Sequence, residues 1–108
     1  MKNNYKIFIC ATEQSGDNIG HNIILEILKI NNNIIFDGVG GSKMSKYLRK
    51  RFYSINDFNA MGIFEVIFSL KKYISMVTNL VQKVLYFRYD LVITIDSPDF
   101  NYPLIKKL

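Results

Sequence analysis

The sequence predicts an open α/β fold built on a parallel sheet, and three stretches carry that prediction. Lys6 to Ala11 is a short apolar run that passes straight into the polar residues Thr12 to Gly16 and then into a helical pattern. Asp90 to Ile95, reading DLVITI, is a second apolar and β-branched run that also delivers polar residues, Asp96 to Asn101, at its end. Between them, Met61 to Tyr86 repeats apolar residues at helical spacing. Strands apolar on both faces, alternating with amphipathic helices, suit a parallel sheet covered on both sides.

In the first unit, Thr12, Glu13, Gln14, Ser15 and Gly16 cannot extend a buried strand. Asp17 stands where an N-cap would, and Ile19, Ile23, Ile24, Ile27 and Leu28 follow at helical spacing. In open α/β sheets such a loop lies at the carboxyl edge, where ligands bind. Gly16 and Gly20 match neither a P-loop nor a dinucleotide fingerprint. Glu13 and Asp17 would repel a bare phosphate, whereas carboxylates and amides suit the hydroxyls of a sugar. A purely structural role, with Asp17 capping and Gly16 turning the chain, uses the same residues.

Asn31 to Asn33 mark a connection, and Ile34 to Phe36 begin a second strand ending in Asp37-Gly38-Val39-Gly40-Gly41. Asp37 follows the first loop by about 20 residues, the offset of a ribose-binding acid. The first loop lacks the glycines that admit a pyrophosphate, so Asp37 is expected in a loop that shapes one side of a cleft or turns the chain. Ser42 is expected to cap a basic helix from Lys43 to Arg51. Phe52 to Ile55 reads as a third strand and Asn56 to Ala60 as a loop.

On the long helix, Ile63, Val66, Ile67, Leu70, Tyr73, Ile74, Val77, Val81 and Val84 form a stripe roughly 120° wide at about 100° per residue. Glu65, Ser69, Lys72, Asn79 and Lys83 face away. Phe64 and Phe68 lie off the stripe, beside Lys71 and Lys72. Aromatic residues next to lysines suit the boundary between lipid headgroups and acyl chains; a further loop or a missing part of the domain would also cover them. Glu65, Lys71, Lys72 and Asn79 interrupt every window of about 20 residues, which excludes a transmembrane span.

With the strands in the doubly wound order 3-2-1-4, the first and fourth are neighbours, and the switch point lies between Glu13 to Asp17 and Asp96 to Asn101. A carboxylate at the mouth of a buried strand has a raised pKa and can accept a proton near neutral pH, which makes Asp96 a physically sensible general base. An Asx-turn or cap onto following amides would use Asp96 for turn chemistry instead.

Composition bounds the rest. One hundred and eight residues, 49% of them hydrophobic, make at most one domain, spanning 1–108. The segment before Lys6 is short and polar, unlike a signal peptide, and the single cysteine, Cys10, falls inside the first strand. A disulfide framework is excluded and a cytoplasmic home fits. Fourteen Lys and Arg against nine Asp and Glu give a net charge of +5, which favours anionic partners. Lys43, Lys46, Arg49, Lys50 and Arg51 are the densest basic cluster, read as a solvated helix face. No metal, cofactor or nucleic acid is expected.

Four runs combine into a resemblance. Glu13-Gln14-Ser15-Gly16-Asp17, Gly38-Val39-Gly40-Gly41-Ser42-Lys43-Met44, Met61-Gly62-Ile63-Phe64-Glu65-Val66 and Ile95-Asp96-Ser97-Pro98-Asp99-Phe100-Asn101 occur in the order and spacing of the lipid-A-disaccharide synthases. The match covers nearly the whole chain. Gln14 departs from it, since the family more usually has Thr there; the loop stays polar.

The resemblance implies the N-terminal, Rossmann-like half of a GT-B-type inverting glycosyltransferase. Such enzymes transfer diacylglucosamine from its UDP form to the 6-hydroxyl of diacylglucosamine 1-phosphate, release UDP, and need no metal to bind the nucleotide. It further implies Asp96 as the catalytic base, with Glu13, Ser15, Gly16, Asp17, Asp99 and Asn101 lining the acceptor cleft. Phe64, Val66, Ile67, Phe68 and Leu70 become membrane contacts on an anionic surface, peripheral on the cytoplasmic face of the inner membrane.

Such enzymes are several times longer, and the sequence reaches Leu108 just after a helix expected to start at Tyr102 or Pro103. No residue that could grip UDP is present, so UDP-diacylglucosamine would bind only with a C-terminal half. Half a cleft cannot hold donor and acceptor together, and the chain alone is expected to be catalytically silent. It reads as a truncated gene product, a split-gene half or an incomplete sequence. A non-catalytic peripheral lipid-binding module is the competing reading. A small nucleotide-binding domain is disfavoured by the glycine pattern.

Overall fold

The computed structural model describes residues 4–58, 63–95 and 98–108, without the side chains of 63–70, 73, 98–100 and 102. Its elements are β1 (Tyr5–Ala11), α1 (Gln14–Ile30), β2 (Ile34–Gly40), α2 (Ser42–Ser45), β3 (Leu48–Ser54), a 3-10 turn (Ile55–Phe58), α3 (Ile63–Phe87), β4 (Leu91–Ile95) and α4 (Pro98–Lys107). The four strands form one sheet in the order β3-β2-β1-β4, with every neighbouring pair parallel. This is the expected α/β, Rossmann-like arrangement, with β1 and β4 side by side.

Period-2 alternation along the strands divides the core between the two faces of the sheet. Ile7, Ile9 and Ala11 of β1 pack with Ile24, Phe36, Met44, Leu48 and Ile95 beneath α1 and α2. Phe8 and Cys10 point the other way, joining Val39, Met76, Val77, Leu80, Val84 and Leu104 beneath α3 and α4. Phe8 is fully buried, contributing roughly 1.5–3 kcal/mol of transfer free energy, and its ring meets those of Phe52 and Tyr89 at 6.3 and 5.6 Å. Gly38 keeps β2 against β1. At its φ of 155° a Cβ would collide with the Ile9 carbonyl, so only glycine fits.

The end of α3 is tied to the start of the chain. Lys6 Nζ donates to the Phe87 carbonyl at 2.7 Å, neutralising the helix C-terminus, and the Lys6 amide donates to the Asp90 carboxylate at 2.8 Å. Arg88 closes α3 in the left-handed region at φ 54°.

Several elements depart from expectation. The basic helix Lys43 to Arg51 does not form. Only the four residues of α2 are helical, and Leu48 already begins β3, because Arg49 and Lys50 are drawn alongside the buried Asp37 of β2. Asp37 itself lies within β2 rather than in a loop. The buried stripe of α3 holds in part: of its expected members Val77 and Val84 face the core and Val81 is half-buried, joined there by Met76 and Leu80, whereas Ile74 is 61% exposed and the side chains of Ile63, Val66, Ile67, Leu70 and Tyr73 lie outside the described residues. The predicted stripe assumed one continuous surface along the whole helix, whereas the sheet contacts only its C-terminal part among the described side chains. Finally, α4 begins at Pro98, and Pro103 falls inside it instead of starting it.

Candidate functional site

The carboxyl ends of β1 and β4 meet as predicted, with Ala11 opposite Ile95. Gly16, in the first turn of α1, lies on this junction: a Cβ there would sit 3.2 Å from the Ala11 Cβ and 3.4 Å from Ile95 Cγ2. The glycine therefore lets the helix start press against both strand ends. Glu13 occupies the N-cap position of α1, where its side chain makes no capping bond, and both it and Ser15 are exposed on the rim. Their hydroxyl and carboxylate oxygens suit the hydroxyl groups of a sugar.

Asp17 is not the N-cap of α1. It sits inside the first turn, fully buried, and reaches across to the next loop. Its carboxylate accepts the amides of Gly41 at 2.8 Å, Lys43 at 3.1 Å and Met44 at 3.0 Å, so it caps α2 from another element. Ser42, expected to cap that helix, is displaced from the role, and the N-cap position belongs to Gly41, which makes no side-chain cap. An acceptor-only group with three donors, shielded from solvent, fixes the spacing of the α1 and α2 loops around the rim.

Asn101 is buried in α4, and its Nδ2 donates to the Ile95 carbonyl at 3.3 Å. That bond ties the first turns of α4 to the end of β4, placing Asn101 at the same rim as Gly16. Asp99 is the second residue of α4 by backbone. Asp96 and Ser97 lie outside the described residues, as do the side chains of Asp99 and of Phe64, Val66, Ile67, Phe68 and Leu70. The backbone of the last five is helical, within α3.

Sequence reasoning missed a second buried carboxylate cluster. Asp37 accepts Arg49 Nε at 3.1 Å, Arg49 Nη2 at 2.6 Å, the Lys50 amide at 3.0 Å and the Tyr89 hydroxyl at 2.6 Å. Burial pushes the Asp37 carboxyl upward, but the hydrogen bonds from Arg49 and Tyr89 and the Arg49 charge outweigh it, and the net shift is downward. Burial, reinforced by the bond to Asp37, raises the Tyr89 phenol. An aspartate inside an apolar strand was the available signal, since it demands a cation. The basic cluster is correspondingly divided: Arg49 serves Asp37, and Lys50 Nζ lies 4.2 Å from the centroid of the Phe87 ring. It is not one solvated helix face.

Cys10 is a buried core residue whose thiol burial pushes up to about 12, which removes it as a nucleophile. Among the described residues, no three His, Cys, Asp or Glu side chains come together as a metal site. No helix among them is long and apolar enough to cross a membrane.

A sequence profile of the lipid-A-disaccharide synthetase family matches residues 7–108. The chain belongs to this family. It is similar to the lipid-A-disaccharide synthase of Rickettsia akari, 40% identical over 107 residues that cover 95% of this chain and 26% of the relative. The synthase of Hydrogenovibrio crunogenus is 37% identical over 94 residues, 87% of this chain and 25% of its own length. That of Blochmanniella floridana is 36% identical over 110 residues, covering all of this chain and 29% of the relative. The chain thus spans about a quarter of the length of the synthases it matches.

Proposed function

We propose that the chain serves lipid A biosynthesis as the acceptor-side portion of a lipid-A-disaccharide synthase, at a rim formed by the ends of β1 and β4. The observation that carries the reading is the Ala11–Ile95 pairing, which supports bringing the Glu13 loop and the segment after β4 into one crevice in a chain of this family. The acceptor is diacylglucosamine 1-phosphate, held by Glu13, Ser15 and Asn101, with Gly16 and Asp17 shaping the crevice from behind and Asp99 at the mouth of α4. Asp96 takes the proton of the acceptor 6-hydroxyl. The oxygen then bonds to the anomeric carbon of the UDP-activated diacylglucosamine with inversion, and the bond to UDP breaks with its electron pair leaving on the nucleotide.

The donor, UDP-diacylglucosamine, belongs to a C-terminal half of the GT-B pair, since transition-state stabilisation needs both substrates held together. The 108-residue chain by itself is therefore inactive. The first half of α3 rests on the cytoplasmic face of the inner membrane, with Phe64, Val66, Ile67, Phe68 and Leu70 at the acyl boundary and Lys71 and Lys72, both exposed, toward anionic headgroups.

The test is transfer from UDP-diacylglucosamine to diacylglucosamine 1-phosphate by this chain mixed with the remaining part of a related synthase. Transfer should appear only in the mixture and fall by about 10²–10⁴-fold with Asp96→Asn, the range general-base catalysis supplies. Undiminished transfer by that variant sinks the base assignment. For the membrane contact, Phe64→Ser with Phe68→Ser should lower co-sedimentation with anionic vesicles, and unchanged sedimentation would remove it.

A further inference from the structure

The acceptor proposed above carries a phosphate, whereas the side chains assigned to hold it supply no positive charge. Glu13 is an exposed carboxylate, Ser15 a hydroxyl and Asn101 an amide. Phosphate is held by cations or by converging N–H donors. In the loop after β2, the amides of Gly41, Lys43 and Met44 are all committed to the buried Asp17 carboxylate. The charge must therefore come from a side chain.

Most of the lysines and arginines are engaged or stand away from the rim. Lys6 bonds the Phe87 carbonyl, Lys29 pairs with Glu26, Arg49 serves Asp37 and Lys50 lies over the Phe87 ring. Arg51 lies in the middle of β3. Lys83 and Arg88 stand at the end of α3, and Lys106 and Lys107 at the end of α4, where each helix has run back along the sheet from its carboxyl edge. Lys71 and Lys72 belong to α3, on the opposite face of the sheet from α1 and α2.

Lys43 is placed differently. It follows β2 on the loop beside the Glu13 loop, because β1 and β2 are neighbours. Its side chain is exposed, and among the described residues nothing pairs with its ammonium. The backbone beneath it is held on two sides: the Lys43 amide donates to Asp17 at 3.1 Å, and Met44 is fully buried against two glycines. A Cβ on Gly20 would come 2.5 Å from the Met44 sulfur and one on Gly40 2.9 Å from it, so either side chain would lift α2 off its seat. A fixed root under a flexible stem lets the ammonium meet a ligand without reordering the loop. β2, β1 and β4 are consecutive in the sheet, so the end of β2 stands two strand spacings, about 10 Å, from the end of β4.

We infer that Lys43 is the specificity-determining residue for the phosphate of the acceptor, its ammonium holding the 1-phosphate over the end of β2 while the 6-hydroxyl is presented over the end of β4. Glu13, on the loop between them, repels the phosphate from the β4 side and so helps to orient the sugar. The inference deepens the reading of this rim as an acceptor site and rests on it.

The test titrates the 108-residue chain with diacylglucosamine 1-phosphate and with unphosphorylated diacylglucosamine in neutral detergent micelles. The native chain should prefer the phosphorylated form about tenfold; Lys43→Gln should abolish that preference by weakening the phosphorylated form alone, and Lys43→Arg should keep most of it. In the mixture with the remaining part of a related synthase, Lys43→Gln should raise KM for the phosphorylated acceptor about tenfold and leave kcat within about twofold. Lys46→Gln, and Lys71→Gln with Lys72→Gln, should leave the phosphate preference unchanged; its loss in either would place the cation elsewhere and overturn the inference. Equal weakening of both acceptors by Lys43→Gln would mark a structural effect and overturn it too, leaving the functional reading standing. A fall in co-sedimentation of Lys43→Gln with phosphatidylglycerol vesicles, without a change in acceptor preference, would assign the lysine to lipid headgroups instead. Failure of the native chain to bind either acceptor, with no transfer in the mixture, would overturn the functional reading and this inference together.

Discussion

Asp17 and Asp37 are both fully buried, but their surroundings solve the problem of a buried charge in opposite ways. Asp17 is met by backbone alone, three amides of the loop and first turn of α2. Asp37 is met mainly by side chains, a two-pronged Arg49 and the Tyr89 hydroxyl, with one amide added. The first arrangement fixes the shape of a loop, and its donors remain whatever side chains the loop carries. The second depends on a specific cation and fixes which strand lies beside β2. One aspartate therefore serves the rim and the other serves the sheet.

Removing each carboxylate sharpens that contrast. Asp37→Ala should have the largest effect, a loss of roughly 3 kcal/mol in urea unfolding, because it strands the guanidinium and the phenol together. The value belongs at the lower end of the range for broken buried pairs, since the Arg49 side chain is 43% exposed and can turn to water. Asp17→Ala should cost about 2 kcal/mol, and its signature should be local, with faster amide exchange at Gly41, Lys43 and Met44. If instead Asp17→Ala loosens β3 and Asp37→Ala loosens the α2 loop, the division of labour is wrong.

The smallest effect is in pH dependence. The Asp37 carboxyl is held below the ordinary 3.8 in the folded state, so its contribution is complete above that value and disappears as pH falls from there through the folded pKa. The stability difference between the native chain and Asp37→Asn should therefore be greatest near neutral pH and shrink below about pH 4. A difference that stays constant from pH 6 to pH 2 would show that the charge of Asp37 contributes nothing.

What the sequence disclosed follows the same line. The order of the strands and the α1 and α3 helices are legible because period and burial are local properties: β1, β2 and β4 are apolar runs, and the helices repeat every three or four residues. The end of β3 falls on the expected Phe52 to Ile55, but its first half is hidden because Arg49, Lys50 and Arg51 carry the composition of a solvated helix, and only the partner 12 residues back explains their extended conformation. Asp17 looks like a cap and is one, but for a helix 24 or more residues along the chain. At the rim, Gly16 and the exposed Glu13 and Ser15 lie just after the end of β1, where the strand-loop-helix pattern puts them. Asn101 joins them through a bond to the β4 carbonyl that no spacing rule displays.

The ties between Lys6 and the Phe87–Asp90 turn bear on how this protein is made. The central strand β1 leaves the ribosome well before β4, one of its two neighbours, so its second row of backbone partners stays absent while the whole intervening segment is made. Closing a loop of that length is a late and slow event, and until it happens an apolar ribbon is accessible to other nascent chains. The emerging polypeptide should accordingly be a client of holdase chaperones, and slowing translation before the Leu91 codon should lower the yield of soluble product.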